Sequence, residues 1–203
     1  MFKELEFNPE SENIKPTRLF LEIGASGTQN VPMVGELQFG PQHLYLGIDH
    51  DSAEIQKAID LNENRYASFE EGDGHALPLP DNSFDEVMLG NVLGSKVGNL
   101  NNNGDKLKII QERILLIREA ARVLEIGGQL VIKETLTPLP PEVLEEIFEG
   151  VSELKLTKAV VPNDEEWASE IKTYDNQAPL FDIKASYLLF FEKLAKDKIS
   201  YKD

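Results

Sequence analysis

The sequence contains no cysteine. That excludes disulfides, thiolate metal sites and a cysteine nucleophile, and by itself says nothing of compartment. No apolar run reaches the roughly 18 residues that a membrane helix needs. The opening stretch MFKELEFNPESENIKP mixes acids with lysines and lacks the apolar segment of an export signal, so a cytoplasmic location is expected. Basic residues are scarce. Against 36 Asp and Glu stand 20 Lys and Arg, for a net charge of −16. A surface this acidic repels phosphate backbones, and no basic cluster stands out, so nucleic acid is not an expected partner. With only 3 histidines, no His/Asp/Glu group has metal-ligand spacing, and no metal site is expected. A Ser-His-Asp order with a nucleophile-elbow motif is also missing.

What is present suits a folded domain. The apolar share is 41% and the charged share 28%, and 203 residues fit one domain of the usual roughly 100–200. Residues 1–203 are therefore read as a single domain, with 1–17 as an N-terminal extension and 162–183 as an insertion between the last two strands. No repeat and no linker divides the chain.

Short apolar runs alternate with amphipathic segments. Strands are expected at 18–23, 44–48, 66–69, 84–89 and 130–132, and again at 152–161 and 185–193. Ser52 is the expected N-cap of a helix with Ile55, Ala58 and Ile59 at near-helical spacing. From Asp105 to Leu124, the residues Leu107, Ile110, Ile114, Ile117, Ala121 and Leu124 predict one apolar stripe. Gly127-Gly128 is the expected helix end. Pro140 and Pro141 open a further helix, and a short one is expected over 164–171. Repeated strand–helix–strand order predicts an α/β fold with a mostly parallel sheet and helices on both faces. In such sheets ligands gather beyond the carboxyl ends of the strands, where strand order reverses.

At those ends stand Glu22-Ile23-Gly24-Ala25-Ser26-Gly27 and Gly47-Ile48-Asp49-His50-Asp51. A glycine turn followed about twenty residues on by an acid suits an adenosine moiety, with backbone near the ligand and a carboxylate accepting from ribose hydroxyls. A dinucleotide fingerprint starting at Gly24 needs glycines where Ser26 and Gln29 stand, which disfavours a nicotinamide oxidoreductase. A phosphate-binding P-loop is absent.

Further along, GDGHALPLPDNSFDEV covers residues 72–87 and REAARVLEIGGQLVI covers 118–132. With these, the chain resembles the class I S-adenosylmethionine-dependent methyltransferases, in order and spacing from about Leu19 to Glu134. The resemblance implies a Rossmann-like, doubly wound, seven-stranded sheet whose last strand is antiparallel, and S-adenosylmethionine as cofactor. It implies that Glu22 and the turn Gly24, Ala25 and Ser26 meet the methionine end. Asp49 would accept from the ribose hydroxyls, with His50 near the adenine. Asp73 would accept from the adenine amino group, the Gly74 amide would point at a ring nitrogen, and His75 would wall the base. Asn91 would lie near the methyl group. No catalytic base is assigned.

This sequence departs from the family's three-glycine turn at Ser26 and Thr28. It also lacks the D/N-P-P-Y/F signature after strand four, reading LGNVLGS there. A small molecule or peptide is the expected acceptor. The competing expectation is a catalytically inactive methyltransferase fold that serves as a binding or regulatory partner.

Overall fold

In the computed structural model of the chain, residues 18–25, 43–94, 103–134, 139, 141–160 and 187–198 are described. Five strands are laid down in parallel: β1 (Arg18–Ile23), β2 (His43–Asp49), β3 (Ala67–Glu71), β4 (Phe84–Gly90) and β5 (Leu124–Glu134). β6 (Leu154–Val160) and β7 (Tyr187–Lys193) complete the sheet. Their order is β3-β2-β1-β4-β5-β7-β6, and β7 runs antiparallel to both of its neighbours. The seven-stranded Rossmann-like sheet expected from the sequence is thus present, with its last strand reversed. Strand order turns back between β1 and β4, which defines the switch point.

Alternation along the strands divides the core into two layers. Leu21, Ile23, Leu46, Ile48, Val87, Leu89, Leu130 and Ile132 point to one layer. Two helices cover that face, α2 (Asn103–Val123) and α3 (Pro141–Glu149), through Ile110, Ile117, Val143 and Ile147. On the opposite face Tyr45, Ala67 and Phe69 pack with Ala25 and with Ile55 and Ala58 of α1 (Ser52–Leu61).

Several local expectations need correction. The N-cap of α1 is Asp51, whose side chain accepts from the amides of Ala53 and Glu54 at 2.9 and 3.3 Å. Its carboxylate supplies both a cap and a favourable charge at the positive helix end, and it comes one residue before Ser52. Ile59 is not part of the buried face; it is exposed, as is Leu107 in α2. The first turn of α2 is held instead by Lys106, which pairs with Glu146 of α3. Nor does Gly127-Gly128 end a helix. Helix α2 stops at Val123 and β5 starts at once, so the glycines lie inside a strand. There Glu125 to Gly128 bulge out opposite Asp85 alone. Gly127 takes φ +80°, and a Cβ on Gly128 would fall 2.9 Å from the Asp85 carbonyl oxygen. The expected helix at 164–171 and the insertion 162–183 lie outside the described residues.

The two family-like stretches meet in one network below the sheet. Arg122 of α2 donates to the carbonyls of Leu77 and Leu79, to Asp81 and to Glu119. Glu119 in turn accepts from the Leu77 amide at 2.7 Å. The Arg122 guanidinium holds the Glu119 carboxyl below its usual range. Asp85 accepts from the Leu19 amide at 2.6 Å, which ties the start of β1 to β4. The most recognisable motif residues here are therefore architectural.

Candidate functional site

The carboxyl ends of β1, β2, β3 and β4 converge at the switch point. Gly24 follows the end of β1 with φ +89°. A Cβ there would lie 2.5 Å from the Gly90 carbonyl oxygen and 2.6 Å from Val92 Cγ1. Glycine is thus required by the close approach of the β1 turn to the β4 end, as well as by its left-handed backbone. The amides of Gly24 and Ala25 both donate to the Ile48 carbonyl, at 2.8 and 3.1 Å. The Ala25 side chain is wholly buried in the second core layer. Ser26 lies outside the described residues, as does Thr28.

Glu22 is buried at 2% exposure, an expensive place for a carboxylate. The Tyr45 hydroxyl from β2 donates to its Oε2. Burial first, then the charge of Glu22, pushes the Tyr45 hydroxyl well above its ordinary value, so it stays a donor. The Glu22 side chain fills the space beside Gly90, where a Cβ would sit 3.0 Å from Oε1.

Asp49 and Asp73 are wired alike. Asp49 Oδ1 accepts from the amide two residues on, Asp51, at 2.9 Å, and faces Nδ1 of His50 at 3.0 Å. Asp73 Oδ1 accepts from the amide two residues on, His75, at 2.9 Å, and faces Nδ1 of His75 at 3.0 Å. In both, one oxygen is fixed by an Asx-type turn; at Asp73 the His75 imidazole hydrogen-bonds to it as well, whereas at Asp49 the His50 ring stands 3.0 Å away as a charge partner. Neither Oδ2 takes a hydrogen bond from a described residue. The His75 amide, then its imidazole, lowers the Asp73 pKa, and His50 adds to this through space. The two pairs therefore lie within electrostatic reach of each other. Asp49 is also tied to Gly72, whose amide donates to its carbonyl at 2.9 Å.

Gly74 owes its lack of a side chain to the core, because a Cβ would come 2.6 Å from Ile23 Cγ2 and 3.0 Å from Leu116 Cδ1. This packing presses the 72–75 turn down beside β1. After β4, Asn91 adopts φ +56°, a conformation that asparagine tolerates better than most residues. Its amide donates to the Lys133 carbonyl at 2.8 Å. The structure thus gathers Glu22, Gly24, Asp49, His50, Asp73, Gly74, His75 and Asn91 at one end of the sheet.

Residues that sequence reasoning missed stand behind them. Glu134, the last residue of β5, is fully buried, and its Oε1 accepts from the Leu93 amide at 2.6 Å. Arg113 of α2, also buried, donates from Nε to the Leu93 carbonyl at 2.7 Å. A faint signal existed for both. Glu134 continues the inward alternation of Leu130 and Ile132. Arg113 interrupts the apolar stripe between Ile110 and Ile117. Among the described residues, no cluster of His, Asp and Glu has the geometry to hold a metal ion.

A family model described as a methyltransferase domain matches residues 21–183. The chain belongs to the class I S-adenosylmethionine-dependent methyltransferase family. Solved structures agree in fold. One is an S-adenosylmethionine-dependent methyltransferase from Methanosarcina mazei, 16% identical, with a TM-score of 0.59 over 90% of this chain and 95% of that one. A TehB-like methyltransferase from Corynebacterium glutamicum is 20% identical, with a TM-score of 0.55 over 89% and 82%. The [4+2]-cyclase SpnF is 17% identical, with a TM-score of 0.57 over 90% and 77%. Among curated proteins no sequence matches. No described helix of this methyltransferase-family chain is long and apolar enough to cross a membrane.

The residues present fit the cofactor that the family implies. Two carboxylates at the ends of neighbouring strands each keep one oxygen without a described partner, which suits hydroxyl and amino donors on a nucleoside. The acidic setting also suits a cationic sulfonium better than a neutral thioether.

Proposed function

We propose that the protein transfers a methyl group from S-adenosylmethionine to a small-molecule or peptide acceptor. The observation that carries this reading is the matched wiring of Asp49 and Asp73. Each carboxylate is oriented by its own turn, with a histidine ring beside it, and each keeps an oxygen for a ligand. In this reading Asp49 accepts from the ribose hydroxyls and Asp73 from the adenine amino group. His50 and His75 fix the carboxylates and flank the base. Glu22 and the Gly24-Ala25-Ser26 turn meet the methionine end, and Asn91 stands near the methyl group.

The cofactor, when bound, supplies a methyl group activated by positive sulfur. The chain's own contribution is to align the acceptor and exclude water. An oxygen acceptor needs a proton acceptor, whereas an amine that arrives neutral needs none. Segment 162–183 is proposed as the substrate-facing cover, and nucleic acid is disfavoured as a substrate by the charge of −16.

The test is transfer of labelled methyl to a panel of small-molecule and peptide acceptors, with Asp49→Ala as control. Transfer that the variant loses supports the reading. Binding of S-adenosylmethionine without transfer to any acceptor favours a second reading, a methyltransferase fold used for binding or regulation. Two observations give that reading its weight: Ser26 and Thr28 replace family glycines, and one protein of similar fold is named as a cyclase.

A further inference from the structure

The segment after β4 is gripped from two sides. From β5, Glu134 Oε1 accepts from the Leu93 amide at 2.6 Å, and the amides of Val92 and Gly94 also act on this carboxylate. From α2, Arg113 Nε donates to the Leu93 carbonyl at 2.7 Å. The Leu93 side chain is itself fully buried in the larger core layer. The same segment carries Asn91 with its left-handed backbone, and Val92, whose Cγ1 occupies the space a Cβ on Gly24 would need. A shift of this segment therefore changes the floor of the switch point.

We propose that Glu134 and Arg113 are positioning residues for methyl transfer, holding the 91–94 segment against the Gly24 turn. This rests on the reading of the switch point as the methyl-transfer site. Glu134 does not line that site; it acts through the Leu93 backbone.

The grip depends on the ionisation of Glu134. Its Oε2 is buried and, among the described residues, has no hydrogen-bond partner. In the protonated acid that oxygen would carry a hydrogen with no acceptor; in the carboxylate it is a desolvated charge. Neither state is fully satisfied. Burial pushes the group up to about 7, while the three amides and the Arg113 charge pull it down. Glu112 stands beside Arg113 and acts on it in turn. From β7, Tyr187 lies opposite Glu134 in register, and α3 presents the apolar Val143 and Ile147 to the same core. By alternation Lys133 lies on the other face of the sheet. Hydrogen bonds to an ionised acceptor are about twice as strong as those between neutral groups. An opening that breaks these amide bonds while Glu134 stays buried removes what pulls its pKa down, so against such local opening the segment is held more tightly above neutral pH than below it, the reverse of global unfolding, which exposes Glu134 to water.

Amide hydrogen exchange of Val92, Leu93 and Gly94 tests this from pH 6 to 8.5 on the full chain, corrected for intrinsic rates. Titration with S-adenosylhomocysteine is run at each pH. In the wild type, Leu93 protection should rise by about tenfold through an inflection near neutrality, and S-adenosylhomocysteine affinity should rise with it. Glu134→Gln, nearly isosteric and uncharged, should remove both inflections. Arg113→Met should move them to higher pH, because a cation that favours the carboxylate is gone. A wild-type Leu93 without an inflection, or a Glu134→Gln protein that keeps it, would overturn the grip. An inflection in Leu93 with no change in affinity would overturn the positioning role. Absence of S-adenosylhomocysteine binding at every pH, with the Leu93 inflection intact, would overturn the methyl-transfer reading instead.

Discussion

Arg122 Nη1 donates to Asp81 Oδ1 at 2.6 Å across 41 residues of sequence. The same guanidinium holds two carbonyls and Glu119, so one side chain joins α2 to the loop that leads into β4. It is about one-third exposed, which screens the ion pairs but leaves the carbonyl bonds. Arg122→Ala should destabilise the protein by about 2 kcal/mol, read as a lower urea midpoint with unchanged slope. Ligand affinity of the folded fraction should be unaffected, because the network lies at the far end of the sheet from the switch point.

Two glycines separate fold from function. Gly24→Ala forces a side chain onto the Gly90 carbonyl in a backbone region that disfavours one. It should lower the melting temperature and weaken S-adenosylhomocysteine binding by at least about tenfold, since the turn can relieve the clash only by moving away from β4. Gly128→Ala makes a comparable backbone clash, with the Asp85 and Glu125 carbonyls, at the opposite end. It should lower the melting temperature while leaving the affinity of the folded protein intact. Equal loss of affinity in both variants would contradict the placement of the site.

Glu134 makes a stability prediction separate from its loop. Its pKa in the folded protein is about 7, above an ordinary value of 4.5. The folded state thus binds more protons than the unfolded state between those values, and stability falls as pH rises through that window. The contribution is fully present below about pH 4.5 and fully lost above about 7, a difference on the order of 3 kcal/mol. Denaturation across pH 5 to 8 should show Glu134→Gln losing much of this slope. An unchanged slope would mean that Glu134 titrates normally.

Much of the fold was legible because short continuous apolar runs and Gly/Pro punctuation mark buried parallel strands well. All seven strand positions were found, and the reversal of the last strand followed from the resemblance. The missed details have local causes. Asp51 displaced Ser52 as a cap because both residue types serve and a carboxylate gains more at a helix start. Gly127-Gly128 looked like a helix end because glycine serves bulges and caps alike. Leu107 fitted the stripe by spacing, but spacing does not say where the partner surface stops. At the site, acids at strand ends were visible as types in a pattern. The grip of Glu134 and Arg113 on Leu93 was not, since it joins three segments distant in sequence through backbone atoms that no residue type announces.

In the proposed reading, Asp49 and Asp73 hold an adenosine moiety at the switch point. Calorimetric titration of the wild type, Asp49→Ala and Asp73→Ala with S-adenosylhomocysteine tests it most directly. The wild type should bind at micromolar concentration, and each variant should lose at least about tenfold, the scale of one directed hydrogen bond to a charged group. Wild-type binding that both variants retain at full strength, in folded protein, would contradict it.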